Sequence, residues 1–403
     1  MITIAYCIHS LHRAAGMERV VSVKANLLAR TGEYKVYILT ASLKGRKPAF
    51  ELDSSVSIID IGVNEKLSPR KYTAKLDCIL QKIGADICIS TGGAEIFALP
   101  RCTDGSIKIA EFHFSHDKFL LKYGKNAVGR WYGSLRTRRL EKAVSKLDCF
   151  VTLTERDRQD WVKCLYDTQP AKGKNLKNRV DEAGRKDGEK KSDCNTEVNG
   201  TKIYQIYNPL TFNCSERSSL DSHRCIAIGR LDLQKNFSDL IRGWKTVSEK
   251  LPDAILEIFG DGSLHKSLQT IIDELSLTDS VCLKGRTSNI KEALLSSSCI
   301  AMSSLFEGFP MVLLESAACG VPMISYDCPQ GPSEIIEDGI NGRLVKYRDT
   351  NGLAEAIIEV LSNGDLRKSM GMKAKATSEK FAPERIIRQW DELFKSLLSE
   401  RRD

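Results

Sequence analysis

The stretch MSSLFEGFPMVLLESAACGVPMIS, residues 302–325, decides the fold. Strand Ile300–Ser303 runs into it, Glu307 ends a loop, and Gly308-Phe309-Pro310 makes a tight turn. A helix from about Met311 carries Glu315, and a second strand, Met323–Ser325, follows at once. Strand, helix and strand in so short a span predict parallel pairing, with the helix as the crossover. The two carboxylates flank the helix start and can face one cleft, where the orphan amides offer a site to an anion. A buried Glu315 needs a partner, and ribose hydroxyls suit it.

Outward from this unit the same alternation covers most of the chain. Ile203–Tyr207, Cys225–Gly229, Ile255–Phe259 and Val281–Lys284 read as strands on its N-terminal side. Before them stand Ile2–Ile8, Val36–Thr40, Ser57–Ile61, Ile87–Ser90, Ile107–Glu111 and Cys149–Thr154. Helical periodicity marks Val20–Leu28 and Ala74–Ile83. This pattern predicts an α/β protein of parallel sheets with helices on both faces. It breaks over residues 167–202, a lysine-rich segment with few large apolar residues, read as a mobile insertion or linker. One domain is expected over 1–200 and a second over 201–380, with a closing amphipathic helix in 381–403.

At 42% hydrophobic and 28% charged, the 403 residues exclude a disordered, collagen-like or small disulfide-stapled chain. Residues 1–207 hold 36 Lys and Arg against 24 Asp and Glu, whereas the remainder holds 24 against 28. The chain is electrically two-faced. Thirteen cysteines, with no C-x-x-C pair, fit a reducing cytoplasm better than an oxidising compartment. The N-terminus reads as a first strand, not a signal peptide. No stretch approaches the ~20 apolar residues that span a bilayer.

Two more strand-to-helix joints could hold a ligand. HSLHRAAGMERVV, residues 9–21, places Gly16 before a helix, where a backbone without a side chain can approach a phosphate; an ordinary glycine turn reads equally well. IAIGRLDLQKNFSDLI, residues 226–241, delivers Arg230 and Lys235 before a helix, a fork and a point charge suited to a diphosphate; taken alone, they read as readily as a pair of solvated surface cations. No Asp-x-Asp and no His pair at i, i+4 occurs, so the charge of a leaving diphosphate falls to these cations and helix amides, with no metal assigned. FGDGSLHKSL, residues 259–268, is only a weak dinucleotide fingerprint.

Taken in order, these joints resemble the retaining glycosyltransferases of family 4. AAGMERVV resembles that family's Gly-Gly-x-Glu-Arg loop, with Ala15 at the first glycine. IAEFHFSHD is similar to the segment with its active-site histidine, and VTLTERDRQDW and IYNPL to the passage into its linker. GRLDLQKNF resembles its Gly-Arg-Leu…Lys-x-Phe motif, with Asn236 where glycine is frequent. EGFPMVLLESAACGVP follows its Glu-x7-Glu region almost letter for letter, and DCPQGPSEIIEDGINGRLV its usual continuation. The resemblance implies the GT-B fold, two Rossmann-like, doubly wound parallel-sheet domains facing across a cleft, with the last helix crossing back to the first domain.

It also implies roles. Arg230 and Lys235 would bind the donor diphosphate, and Glu315 the ribose. Glu307 with Phe309, Pro310 and Met311 would hold the sugar and phosphate, although Pro310 has no N–H to offer. Arg286 and Ile290 match the nucleobase position. Gly16 would approach the donor phosphate, and His113 the reacting sugar. His116 lies in the same segment; His113 is preferred because it follows the strand end directly. The implied activity is retaining, metal-independent transfer from a nucleotide diphosphate-sugar, with uracil as the base, to a hydroxyl of a glycan or lipid-linked acceptor in cell-surface polysaccharide synthesis. A non-catalytic nucleotide-sugar-binding module and a GT-B nucleotide-sugar epimerase are the rivals. Residues 117–142 interleave basic residues with Phe119, Tyr123, Trp131 and Tyr132, as suits an anionic membrane surface or a solvated cationic helix pair. The protein is expected in the cytoplasm or peripherally on the membrane's cytoplasmic face, and no nucleic-acid partner is expected.

Overall fold

The structure, a computed structural model, describes residues 1–124, 126–167, 195–287 and 289–401. Its first sheet contains β1 (Ile2–Ile8), β2 (Tyr34–Thr40), β3 (Ser57–Asp60), β4 (Ile87–Ser90), β5 (Ile107–Phe112), β6 (Cys149–Thr152), β7 (Asn195–Val198) and β8 (Thr201–Gln205). They lie in the order 3-2-1-4-5-6-8-7, all parallel except the β7–β8 hairpin. The helices of this half are α1 (Gly16–Arg30), α2 (Pro69–Ile83), α3 (Lys118–Tyr123), α4 (Ala127–Val144) and α5 (Glu155–Asp167).

The second sheet contains β9 (Arg224–Ile228), β10 (Ile255–Phe259), β11 (Val281–Gly285), β12 (Cys299–Met302), β13 (Met323–Tyr326) and β14 (Gly342–Val345), ordered 11-10-9-12-13-14 and parallel throughout. Its helices are α6 (Phe237–Lys250), α7 (His265–Glu274), α8 (Ile290–Leu295), α9 (Met311–Ala318), α10 (Pro332–Ile335), α11 (Thr350–Ser362) and α12 (Gly364–Ser378). The chain closes with α13 (Pro383–Glu400).

Both sheets reverse direction beside their first strand, between β1 and β4 and between β9 and β12. Ligands of doubly wound sheets bind at such switch points, beyond the carboxyl ends of the strands. The two sheets thus form the GT-B arrangement that the resemblance implies. Each is covered on both faces, so its central strands are apolar and buried throughout. In β5, Ile107 and Ile109 face the core shared with α1 and α13, while Ala110 and Phe112 face the opposite core. Helix α13 sets Ile386, Trp390, Leu393 and Phe394 into the first of these cores, in the N-terminal domain.

Two boundaries differ from the sequence reading. Ile203–Tyr207 was expected to open the second domain, yet β8 pairs with β6 of the first sheet. The physical reason is the hairpin: Asn199 and Gly200, both at positive φ, turn β7 back onto β8 inside the expected insertion. Residues 168–194 of that insertion lie outside the described residues. The domain change therefore falls between Gln205 and Arg224.

Candidate active site

The end of β9 meets the end of β12 at the second switch point. Gly229 leaves room for Lys235, whose Cε would lie 2.8 Å from a Cβ placed there. Lys235 is thereby laid across the strand end and donates from Nζ to Glu307 Oε1 at 2.6 Å. Both side chains are largely buried. The backbone turns into α6 through Asn236 at φ 50°, in the left-handed region. Glycine fits there freely and asparagine is the residue that best replaces it, which accounts for the departure at this position.

After Glu307 the loop passes Gly308, where a Cβ would come within 2.4 Å of the His113 carbonyl oxygen. This is a contact between the two domains. Phe309 is buried, stacked on Tyr207 at 5.3 Å between ring centroids. Pro310 precedes α9, whose first residue, Met311, points its Cγ towards Gly16. Gly16 needs no special φ; a Cβ would meet only Met311, at 3.9 Å.

Glu315, on the first turns of α9, is buried, and burial pushes its carboxyl up despite two donors. Arg19 Nη1 of α1 donates to Oε1 at 2.7 Å, and Thr211 Oγ1 donates to the same oxygen at 2.6 Å. The partner that a buried Glu315 requires is thus supplied by the protein itself. Arg19 is held there by the rings of Phe50 and Phe212, 5.5 and 5.8 Å from its guanidinium. Sequence reasoning passed over Arg19, although it stands in the quoted AAGMERVV; Thr211 left no signal.

Arg230 and Arg286 do not join this cluster. Arg230 is 74% exposed and paired with Asp232 at 3.2 Å, and Arg286 is 81% exposed and paired with Asp261 at 3.2 Å. Ile290 opens α8 and packs, half-buried, against the core around α9. The Gly260-x-Gly262 pair has a packing role: Cβ atoms there would strike the carbonyl oxygens of Gly229 and Leu231.

The two histidines separate clearly. His113 sits at the domain contact, its Nε2 buried and 3.4 Å from Glu111 Oε1. His116 is enclosed by its own domain: its Nε2 lies 3.2 Å from Glu141 Oε1 and its Nδ1 3.0 Å from Asp117 Oδ1. Its ring meets Trp161 edge to face at 4.9 Å. Cys164 Sγ donates to the same Glu141 oxygen at 2.7 Å. His116, Glu141 and Cys164 form one of two groups, among the described residues, whose ligand atoms could hold a metal; Asp77, Cys102 and Asp104 form the other. The sequence reading found no such cluster, because the first residue of each stands 25 positions before the next, at no metal-ligand spacing. Of the candidate residues, only His116, the rival to His113, belongs to either group.

Residues 215–377 match the family model described as glycosyl transferases group 1. An uncharacterized glycosyltransferase of Haemophilus influenzae is 26% identical over 395 residues, 97% of this chain and 99% of that protein. The amylovoran biosynthesis glycosyltransferase AmsD of Erwinia amylovora is 34% identical over 171 residues, 42% of this chain and 48% of that one. A mutant of TarM from S. aureus, solved with Fondaparinux, alpha-GlcNAc-glycerol and UDP, superposes with a TM-score of 0.76 at 16% identity, covering 98% of this chain and 100% of that one. Fold and matches together make the chain a glycosyltransferase of the GT-B fold. Among the described residues, no helix is long and apolar enough to cross a membrane.

Proposed function

We propose that the protein is a retaining glycosyltransferase of family 4 that moves a sugar from a UDP-sugar to a hydroxyl of a glycan or lipid-linked acceptor, in cell-surface polysaccharide synthesis. The observation that carries this reading is the Lys235–Glu307 pair beside the N-terminus of α9, with Glu315 buried on the same helix. An ammonium and free helix amides suit a diphosphate, and a buried carboxylate suits vicinal ribose hydroxyls. The crystal complex of TarM with UDP lends support from a protein of the same fold.

In this reading the bond between the anomeric carbon and the diphosphate oxygen breaks as the acceptor oxygen arrives on the same face. The acceptor's proton passes to the leaving phosphate. Lys235, Arg230 swung in from Asp232, and the α9 amides take up the negative charge that develops, with no metal assigned to the step. Glu307 and the backbone of Phe309–Met311 hold the sugar, His113 faces its reacting carbon, and Gly16 lets the first domain close over the phosphate. Arg286 and Ile290 border the base.

The acceptor side is argued from α4. Val128, Trp131, Tyr132 and Leu135 are 74, 64, 41 and 44% exposed at i, i+3, i+4 and i+7, one helix face beside exposed Arg138 and Arg139. An aromatic stripe edged with arginine fits an anionic membrane surface. Sedimentation with phosphatidylglycerol vesicles tests this: the wild type is expected to pellet and Trp131→Ala/Leu135→Ser to stay in the supernatant. Equal pelleting of both, or of neither, speaks against it.

For the reaction itself, UDP-, GDP- and dTDP-sugars are to be supplied in EDTA with and without acceptor, and the product's anomeric configuration read by NMR. Retention with a UDP-sugar is the expected result. Inversion, or a nucleotide sugar epimerised with no acceptor present, contradicts it.

A further inference from the structure

The N-terminal domain buries a full ion pair in its core. Lys24 of α1 and Glu111 of β5 are 0 and 1% exposed, with Nζ 2.6 Å from Oε2. The ring of Trp390, from α13, lies 3.6 Å from the same Nζ. Glu111 follows Ile107 and Ile109 on the strand face that packs under α1 and α13, a place where an apolar side chain would serve stability as well. Stability therefore does not explain the pair.

The second oxygen of Glu111 points elsewhere. Oε1 lies 3.4 Å from His113 Nε2, and that buried nitrogen has no hydrogen-bond partner. The distance is longer than a formed hydrogen bond, as is common where a site tightens only around its substrate. Lys24 engages Oε2 and leaves Oε1 for the imidazole. Although burial works against it, the Lys24 ammonium beside it holds the Glu111 carboxyl below the usual carboxylate range, so it is ionised at neutral pH.

We propose that Glu111 is a positioning residue for His113: anchored by Lys24 under Trp390, its carboxylate keeps the proton on Nε2 and turns Nδ1 towards the cleft. The role rests on His113 facing the donor sugar, as argued above. It also gives the returning helix α13 a function, because Trp390 lies over the Lys24 ammonium that anchors the carboxylate orienting the histidine.

Two measurements test the proposal. The first needs no substrate: the full chain, labelled with 15N-histidine, is compared by long-range NMR correlation with Lys24→Met/Glu111→Leu. That double substitution removes both charges and avoids leaving one buried alone. The wild-type His113 is expected as the Nε2–H tautomer, and the variant as a mixture of tautomers. An unchanged tautomer in the variant overturns the proposal, whatever the enzyme's substrate.

The second is a kinetic cycle with the UDP-sugar that the wild type turns over. The pair substitution is expected to lower kcat roughly 10- to 100-fold, with donor KM within about twofold. On a His113→Ala background it is expected to cost nothing more. The same loss on both backgrounds makes the pair merely structural and overturns the proposal. If no donor binds or turns over, the function reading fails, and the tautomer alone decides this one.

Discussion

His116 shows how one side chain is held away from chemistry. Burial alone would lower its pKa, but hydrogen bonds to Asp117, Cys164 and Glu141 outweigh that and raise it to about 12. A histidine whose folded value exceeds its unfolded value of ~6.5 contributes fully below that pH. Its contribution is then lost steadily as the pH rises towards 12. The melting temperature of the wild type is therefore expected to fall more steeply between pH 7 and 8 than that of His116→Gln. Parallel slopes in the two proteins would show that the network is not charged. The choice between His113 and His116 was only half legible in the sequence. Their place after a strand could be read, but Glu141 and Cys164, which claim His116, lie on helices whose packing no local pattern discloses.

At the scale of the element, the turn before α9 carries the clearest constraint. Gly308 abuts the His113 carbonyl, so a methyl group there cannot be accommodated while the domains touch. Its own backbone requires no positive φ. Gly308→Ala is thus expected to melt within about 2 °C of the wild type, since each domain core is untouched. It is expected to lose most of its transfer activity through a cleft that cannot shut. Full activity would mean that this closed contact is not part of the cycle. The turn itself was legible because Glu-Gly-Phe-Pro is punctuation before an apolar helix. The β7–β8 hairpin was not: Asn195–Val198 is too polar to stand out beside a lysine-rich segment, and only pairing with its neighbour makes it a strand.

At the scale of the whole molecule, the domains are joined by polar struts. Arg19 reaches Glu315, while Gln330 donates to Asp160 at 2.9 Å and Glu334 accepts from the Glu155 amide at 3.0 Å. Both Arg19 and Thr211 use Oε1 of Glu315, and on the proposed function Oε2 takes the ribose hydroxyl. On the proposed function, closure and donor binding are coupled through this one carboxylate. Arg19→Ala is expected to weaken UDP binding about 10-fold and to enlarge the radius of gyration in X-ray scattering. Weaker binding with unchanged scattering would separate the two effects and argue against the coupling. The two-domain plan was legible from the alternation of strands and helices. The struts were not, because each joins residues more than a hundred positions apart, where periodicity carries no information.

The most direct single measurement is calorimetric titration of the full-length protein with UDP in EDTA, for the wild type beside Glu315→Ala and Lys235→Ala. A nucleotide held by a buried carboxylate and an ammonium at the α9 terminus predicts saturable wild-type binding. Each substitution is then expected to weaken it at least about 10-fold, one charge-assisted contact being worth ~1.5–3 kcal/mol. Unchanged affinity in both variants, or no binding by the wild type at millimolar UDP, would contradict the placement of the donor in this cleft.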